Sequence, residues 1–162
     1  MSRVRPWIPL VVWATLISLF STDKFSSQNT SRVIVPLLRW LLPHASAHAI
    51  ELLHHVIRKG AHVFEYFVFG SLLFHAMSGY TRRWTLRWAV TAIAVSAVFA
   101  GFDEFHQSFV PNRGASVWDS LLDTSAAAAA VIVAWLLSRR RGGRGMEAEG
   151  EPEPRDIVVT PR

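Results

Sequence analysis

The 162-residue sequence has no cysteine. That excludes a disulfide scaffold and any thiolate metal site, and leaves the redox compartment open. Charge is scarce too. Asp, Glu, Lys and Arg make up 18% of the chain, against roughly 25% in soluble domains. With 51% of residues hydrophobic, disorder of the whole chain is excluded. What the sequence also lacks is a basic patch. The net charge of +5 invites a nucleic-acid reading, yet six of the 17 basic residues lie from Arg139 onward and most others flank apolar stretches. That is the distribution of a membrane protein, and no nucleic-acid partner is expected.

Four apolar stretches approach the length of about 20 residues that a helix needs to cross a bilayer. They are 6–22, 61–80, 84–102 and 116–137. The first has the basic start and short apolar core of a signal peptide. No small-x-small cleavage site follows Phe20, so a retained helix is expected. Between the first two stretches, Val33–Leu42 and Ala49–Ile57 read as two short helices separated by Pro43, too short to span, and 31–58 is expected to lie at the membrane interface. From Gly142 the chain is Gly, Glu, Pro and Arg with little to bury, so 142–162 is expected to be a disordered cytoplasmic tail. The expectation is an all-α membrane domain over 1–141, a bundle of four transmembrane helices with one or two short interfacial helices.

Orientation follows from basic residues in short loops. Arg3 and Arg5 precede the first stretch, Arg82, Arg83 and Arg87 separate the second from the third, and Arg139, Arg140, Arg141 and Arg144 follow the fourth. An even number of spans puts all three clusters, and both termini, on the cytoplasmic side of a bacterial inner membrane. The five basic residues between the first two stretches are the exception to the pattern.

In that topology the ionisable residues of three stretches converge outside. Lys59, His62, Glu65 and Tyr66 open the second stretch, and Asp103, Glu104, His106 and Gln107 close the third. Asn112 and Arg113 follow in the loop, and Asp119 and Asp123 open the fourth. Lys59, His62 and Tyr66 are three and four apart and share a helix face, as do Asp103 with Gln107 and Asp119 with Asp123. Ionisable residues in spans are costly and point to function. Bland readings stand beside this one. Ser116 with Asp119 has the form of a capping box. Lys59 could snorkel, Pro111 to Gly114 is turn chemistry, and the Ala126–Ala130 run suits close helix packing. Asp123 lies a turn too deep for a cap. Asp103 and Glu104 face the negative end of their helix dipole, so holding them charged requires a cation such as Lys59 or Arg113, or a metal.

At these residues a resemblance becomes specific. Lys59-Gly-Ala-His62-Val-Phe-Glu65-Tyr66, Asp103-Glu104 with Gln107 and Arg113, and Ser116-Val-Trp-Asp119 resemble, in order, the pattern of the VanZ-like family of small bacterial multi-helix membrane proteins. The likeness spans roughly 55–137. The sequence departs from it at Asp123, where the family commonly has Asn, at Ala126 in place of Gly, and at Asn112 in place of Gly before the Arg. The resemblance implies a cell-envelope protein. The family's founding member is an accessory protein associated with resistance to the glycopeptide teicoplanin, and glycopeptides act outside the cytoplasmic membrane.

Four functions compete. The first is an accessory protein whose Lys59, His62 and Arg113 contact an anionic lipid-linked or cell-wall-related group, while Glu104, Gln107 and Asp119 order them or bind its polar parts; Glu65, Tyr66, Asp103 and Asp123 complete the expected ligand-binding set, with membrane lipids and a lipid-linked cell-wall precursor as partners. The second is a membrane enzyme acting on a lipid phosphate with His62 or Glu104 as general base, although no Ser or Cys nucleophile stands in a recognisable frame. The third is a carrier, for which four helices are few and the polar groups sit at one end. The fourth is a structural ion-pair network. Neither a cofactor nor a metal is expected, since His62-x-x-Glu65 is not a strong zinc spacing.

Overall fold

A computed structural model describes residues 4–79, 84–110 and 115–148, with side chains through Arg139. Five α-helices and one 3-10 turn make up the described chain, and no strand occurs among the described residues. They are α1 (Trp7–Phe20), the turn Asp23–Phe25, α2 (Ser27–Leu41), α3 (Ala47–Ser78), α4 (Leu86–Gln107) and α5 (Val117–Ala148).

The helix starts follow local chemistry. Ser26 accepts from Asn29 N at the head of α2, Ser46 from Ala49 N at the head of α3, and Thr85 from Trp88 N at the head of α4. Each hydroxyl relieves a backbone donor that has no intrahelical partner. Pro9 lies in the first turn of α1, where its missing N–H costs nothing. Gly79, at φ 57°, ends α3 in a conformation that a side chain would strain.

One expectation changes here. Ala49–Ile57 is not a separate short helix. It is the outer part of α3, which runs unbroken for 32 residues, about 48 Å at 1.5 Å per residue. The separator, Pro43, lies before Ala47. Past it Gly60 and Gly70 weaken the helix, by about 1 kcal/mol each, which packing of α1, α2, α4 and α5 against α3 outweighs. The expected tail boundary at Gly142 also falls inside an element, since α5 continues to Ala148. Residues 149–162 lie outside the described residues.

Contacts fix the helix directions. Lys59 meets Asp119, His62 meets Asp123 and Gly70 meets Ala127, so α3 and α5 run parallel. Trp13 Nε1 donates to the Glu65 carbonyl at 2.9 Å while Ile17 and Ser21 share a cavity wall with Ala61 and His62, so α1 runs against α3. Gln107, at the end of α4, reaches Ser21, at the end of α1, so these two run together. The core between them is small and aromatic. Tyr66, Phe69 and Phe99 cluster, with the Phe69 and Phe99 rings stacked 4.7 Å apart. Around them lie buried Ala89, Ala92, Ala100, Ala126, Ala127 and Ala130. Small residues let apolar helices approach closely. At Gly70 the approach is tightest, since a Cβ there would lie 2.8 Å from Ala127 Cα.

Two described helices are long and apolar enough to cross a membrane, Leu86–Gln107 and Val117–Arg139. α1 with the 3-10 turn and α2 qualifies as a third only if that pair, bent by 74°, is one span. α3 is long enough but is not in this set. The expected bundle of four spans is thus met in part by an all-helical fold with two qualifying helices.

Candidate functional site

Four elements meet at one level. They are the end of α1, the middle of α3, the end of α4 and the start of α5. Polar side chains come together there because α4 is longer than its apolar stretch. It runs five residues past Phe102 and carries Asp103, Glu104 and Gln107 inward on its last turns. All three are buried.

Parallel packing of α3 on α5 sets up two rungs. Lys59 Nζ pairs with Asp119 Oδ1. One turn deeper, His62 Nδ1 lies 3.6 Å from Asp123 Oδ2. The i, i+3 step on α3 matches the i, i+4 step on α5, as two helix faces in contact require. Asp123 has no exposed surface, and neither of its oxygens has a hydrogen-bond partner among the described residues. The Tyr66 hydroxyl is likewise buried and unpartnered there, as is Glu104 Oε1. Buried polar groups left so are costly, and each calls for an explanation.

α4 closes the site from the other side. Gln107 Nε2 donates to Asp103 Oδ2 at 2.8 Å and to Ser21 Oγ at 3.0 Å. Glu104 Oε2 accepts from Ser116 N at 2.7 Å. This last bond revises the capping-box reading. In a capping box the Ser116 N–H would go to Asp119, whereas Glu104 takes it and Asp119 is engaged by Lys59. Lys59 is accordingly paired rather than snorkelling alone.

A cavity of about 260 Å³ opens beside these groups, between α1, α2, α3 and α4. Arg58, His62, Glu65, Asp103, Gln107 and Ser21 bring its polar groups, and Ile17, Phe20, Phe25, Ile34 and Ile57 its apolar wall. His62 therefore has the buried Asp123 carboxylate on one side and an open space on another. Outside the cluster, His54 is buried on the outer part of α3. Burial, then the charges of Arg58 and His55, push its imidazole below the usual range.

Of the ten expected ligand residues, nine lie at this level. The tenth, Arg113, lies outside the described residues, as does Asn112. His106 is not part of the group. It is exposed on α4 and lines a second cleft with Ser18, Thr22, Phe99, Phe102 and Asp103. Among the described residues no three His, Asp or Glu side chains are grouped to hold a metal. Arg58 and Ser21 were not singled out from the sequence. Ser21 carried no signal, being a polar residue just after an apolar run. Arg58, beside Lys59, is half-buried on the cavity wall.

The sequence profile of the VanZ/LLP1 family matches residues 6–138. The chain belongs to this family. The match extends the earlier resemblance over α1 and α2, so the helices that wall the cavity from the outside fall within the family domain. Membership and the apolar helices together make this VanZ/LLP1 chain a membrane protein. Neither a curated protein nor a solved structure matches the chain.

Proposed function

We propose that this VanZ/LLP1 protein crosses the bacterial cytoplasmic membrane four times, with both termini in the cytoplasm, and binds an anionic lipid-linked or cell-wall-related group at its outward-facing polar cluster. The observation that carries the reading is the cavity beside His62, where Arg58 brings a cation not paired with any described carboxylate and polar and apolar walls face each other. A ligand with an anionic head and an alkyl chain has both chemistries. Alternating helix directions and the three basic clusters support the topology. A link to teicoplanin susceptibility belongs to the same reading.

The test uses the purified full-length protein in mild detergent, with a short polyprenyl phosphate as probe and the matching neutral polyprenol as control. Native mass spectrometry should show a phosphate-bearing adduct that weakens about tenfold in Arg58→Ala and in His62→Asn, both checked for folding. Equal retention of the neutral polyprenol, or no change in the variants, would sink the proposal.

A second reading is favoured by the 3.6 Å approach of Asp123 to His62. A carboxylate behind an imidazole orients it for proton transfer, and a membrane enzyme acting on a lipid phosphate would use His62 in that way. Glu104 suits the role less, since one oxygen already accepts from Ser116 N. Release of inorganic phosphate from the same probe, lost in His62→Asn, distinguishes catalysis from binding.

A further inference from the structure

The end of the molecule opposite the polar cluster holds a larger opening. Beside the tight approach of Gly70 to Ala127, a groove of about 850 Å³ lies between α3 and α5. Phe67 and Phe74 on α3 face Val133, Trp135 and Leu137 on α5, and Trp84 stands at one end.

The chemistry of the walls limits what can fill it. Three serines line the groove, but each hydroxyl donates within its own helix: Ser71 to Phe67 O, Ser78 to His75 O and Ser138 to Trp135 O. Their donors are thus engaged, which leaves His75 and Trp84 as the polar side chains of an otherwise apolar wall. Trp84 differs. Its Nε1 is buried and has no partner among the described residues. Arg139 stands at the rim, its guanidinium 4.2 Å from the Trp135 ring centre. All the α5 residues of the groove lie within the helix segment long and apolar enough to span, which ends at Arg139, while Trp84 lies two residues before the other such helix. The groove therefore runs along the hydrocarbon layer and ends at its boundary, where Trp and Arg are favoured. Water cannot usefully fill an apolar groove at that depth, whereas an alkyl chain can. The Arg139 cation beside its mouth complements a phosphate.

We infer that this groove holds one chain of an anionic phospholipid, with the phosphate at Arg139. The site is separate from the outer cluster and does not depend on what that cluster does.

Native mass spectrometry of the delipidated full-length protein tests it, with dioleoyl phosphatidylglycerol and dioleoyl phosphatidylcholine as probes. One phosphatidylglycerol should remain bound, at least tenfold more tightly than phosphatidylcholine. Val133→Trp, which fills the groove from a partly exposed position, should lose about tenfold in retention of both. Arg139→Gln should reduce the preference for phosphatidylglycerol while leaving chain binding in place. Lys59→Met, in the outer cluster, should leave retention unchanged, which separates this result from the fate of the outer-site proposal. Circular dichroism establishes that each variant is folded. Retention indifferent to Val133→Trp would overturn the inference. So would equal binding of the two lipids, displacement of phosphatidylglycerol by inorganic phosphate alone, or a dimer abolished by Val133→Trp without any lipid bound.

Discussion

Ser116, Glu104, Asp119 and Lys59 exchange partners in a way that spacing alone does not reveal. A Ser with an Asp three residues later has the local form of a cap, and only the arrival of α4 from elsewhere in the chain hands the Ser116 N–H to Glu104. Asp119 is then held by Lys59. Lys59→Met should leave Asp119 without its partner and destabilise the fold by about 1–2 kcal/mol, part of the pair being exposed. Adding Asp119→Asn should recover most of that loss in thermal unfolding in detergent, and a double-mutant cycle measures the coupling. His54 gives a dependence on pH. Its imidazole is held below the ordinary value of 6.5 by burial. Below that value the unfolded chain therefore binds a proton that the folded chain resists, and stability falls with pH over that window. His54→Leu should lose less stability than the parent between about pH 8 and pH 5.5, read as the change in unfolding midpoint. At this scale the identities of nine clustered residues were legible because helical spacing puts them on shared faces. Apart from Asp103 with Gln107, their partners were not, because they are set by packing between segments 12 to 86 residues apart.

Among the elements, α3 carries the main departure from expectation. A hydropathy reading divides it into an interfacial piece and a span, since its outer half is charged and its inner half apolar. The backbone recognises no such division, because neither half contains a proline. Two glycines in this helix make opposite predictions. At Gly60 an added Cβ meets nothing within 4 Å, so Gly60→Ala should stabilise by about 0.5–1 kcal/mol through backbone entropy and helix propensity. At Gly70 the added Cβ would press on the Ala127 backbone at 2.8 Å. Gly70→Ala should therefore cost about 1–3 kcal/mol by overpacking. Opposite shifts in midpoint for the two variants are the check. The alanine run facing Gly70 was readable as a packing surface. Its counterpart was not, because a lone glycine in an apolar run does not declare which helix it meets.

For the whole molecule, membrane character and family were legible in the sequence, the first from apolar runs and charge placement and the second from three short motifs in order. The cavity was not, because its walls include Ser21 and Arg58, which belong to no motif. The absence of cysteine makes the proposed topology directly measurable. Single cysteines at Lys24 and Gln28, both exposed polar positions between the first two spans, should react with a membrane-impermeant maleimide on intact cells. One at Arg139 should react only after the membrane is opened. Reaction of position 139 alone on intact cells would invert the orientation and place the polar cluster in the cytoplasm. The continuity of α3 has a mechanical meaning as well. One rod of 32 residues carries the cavity wall, the crossing at Gly70 and the wall of the groove beyond it. With the crossing as fulcrum, a tilt that widens one opening swings the other end of the rod the opposite way, so the two openings are arms of a single lever.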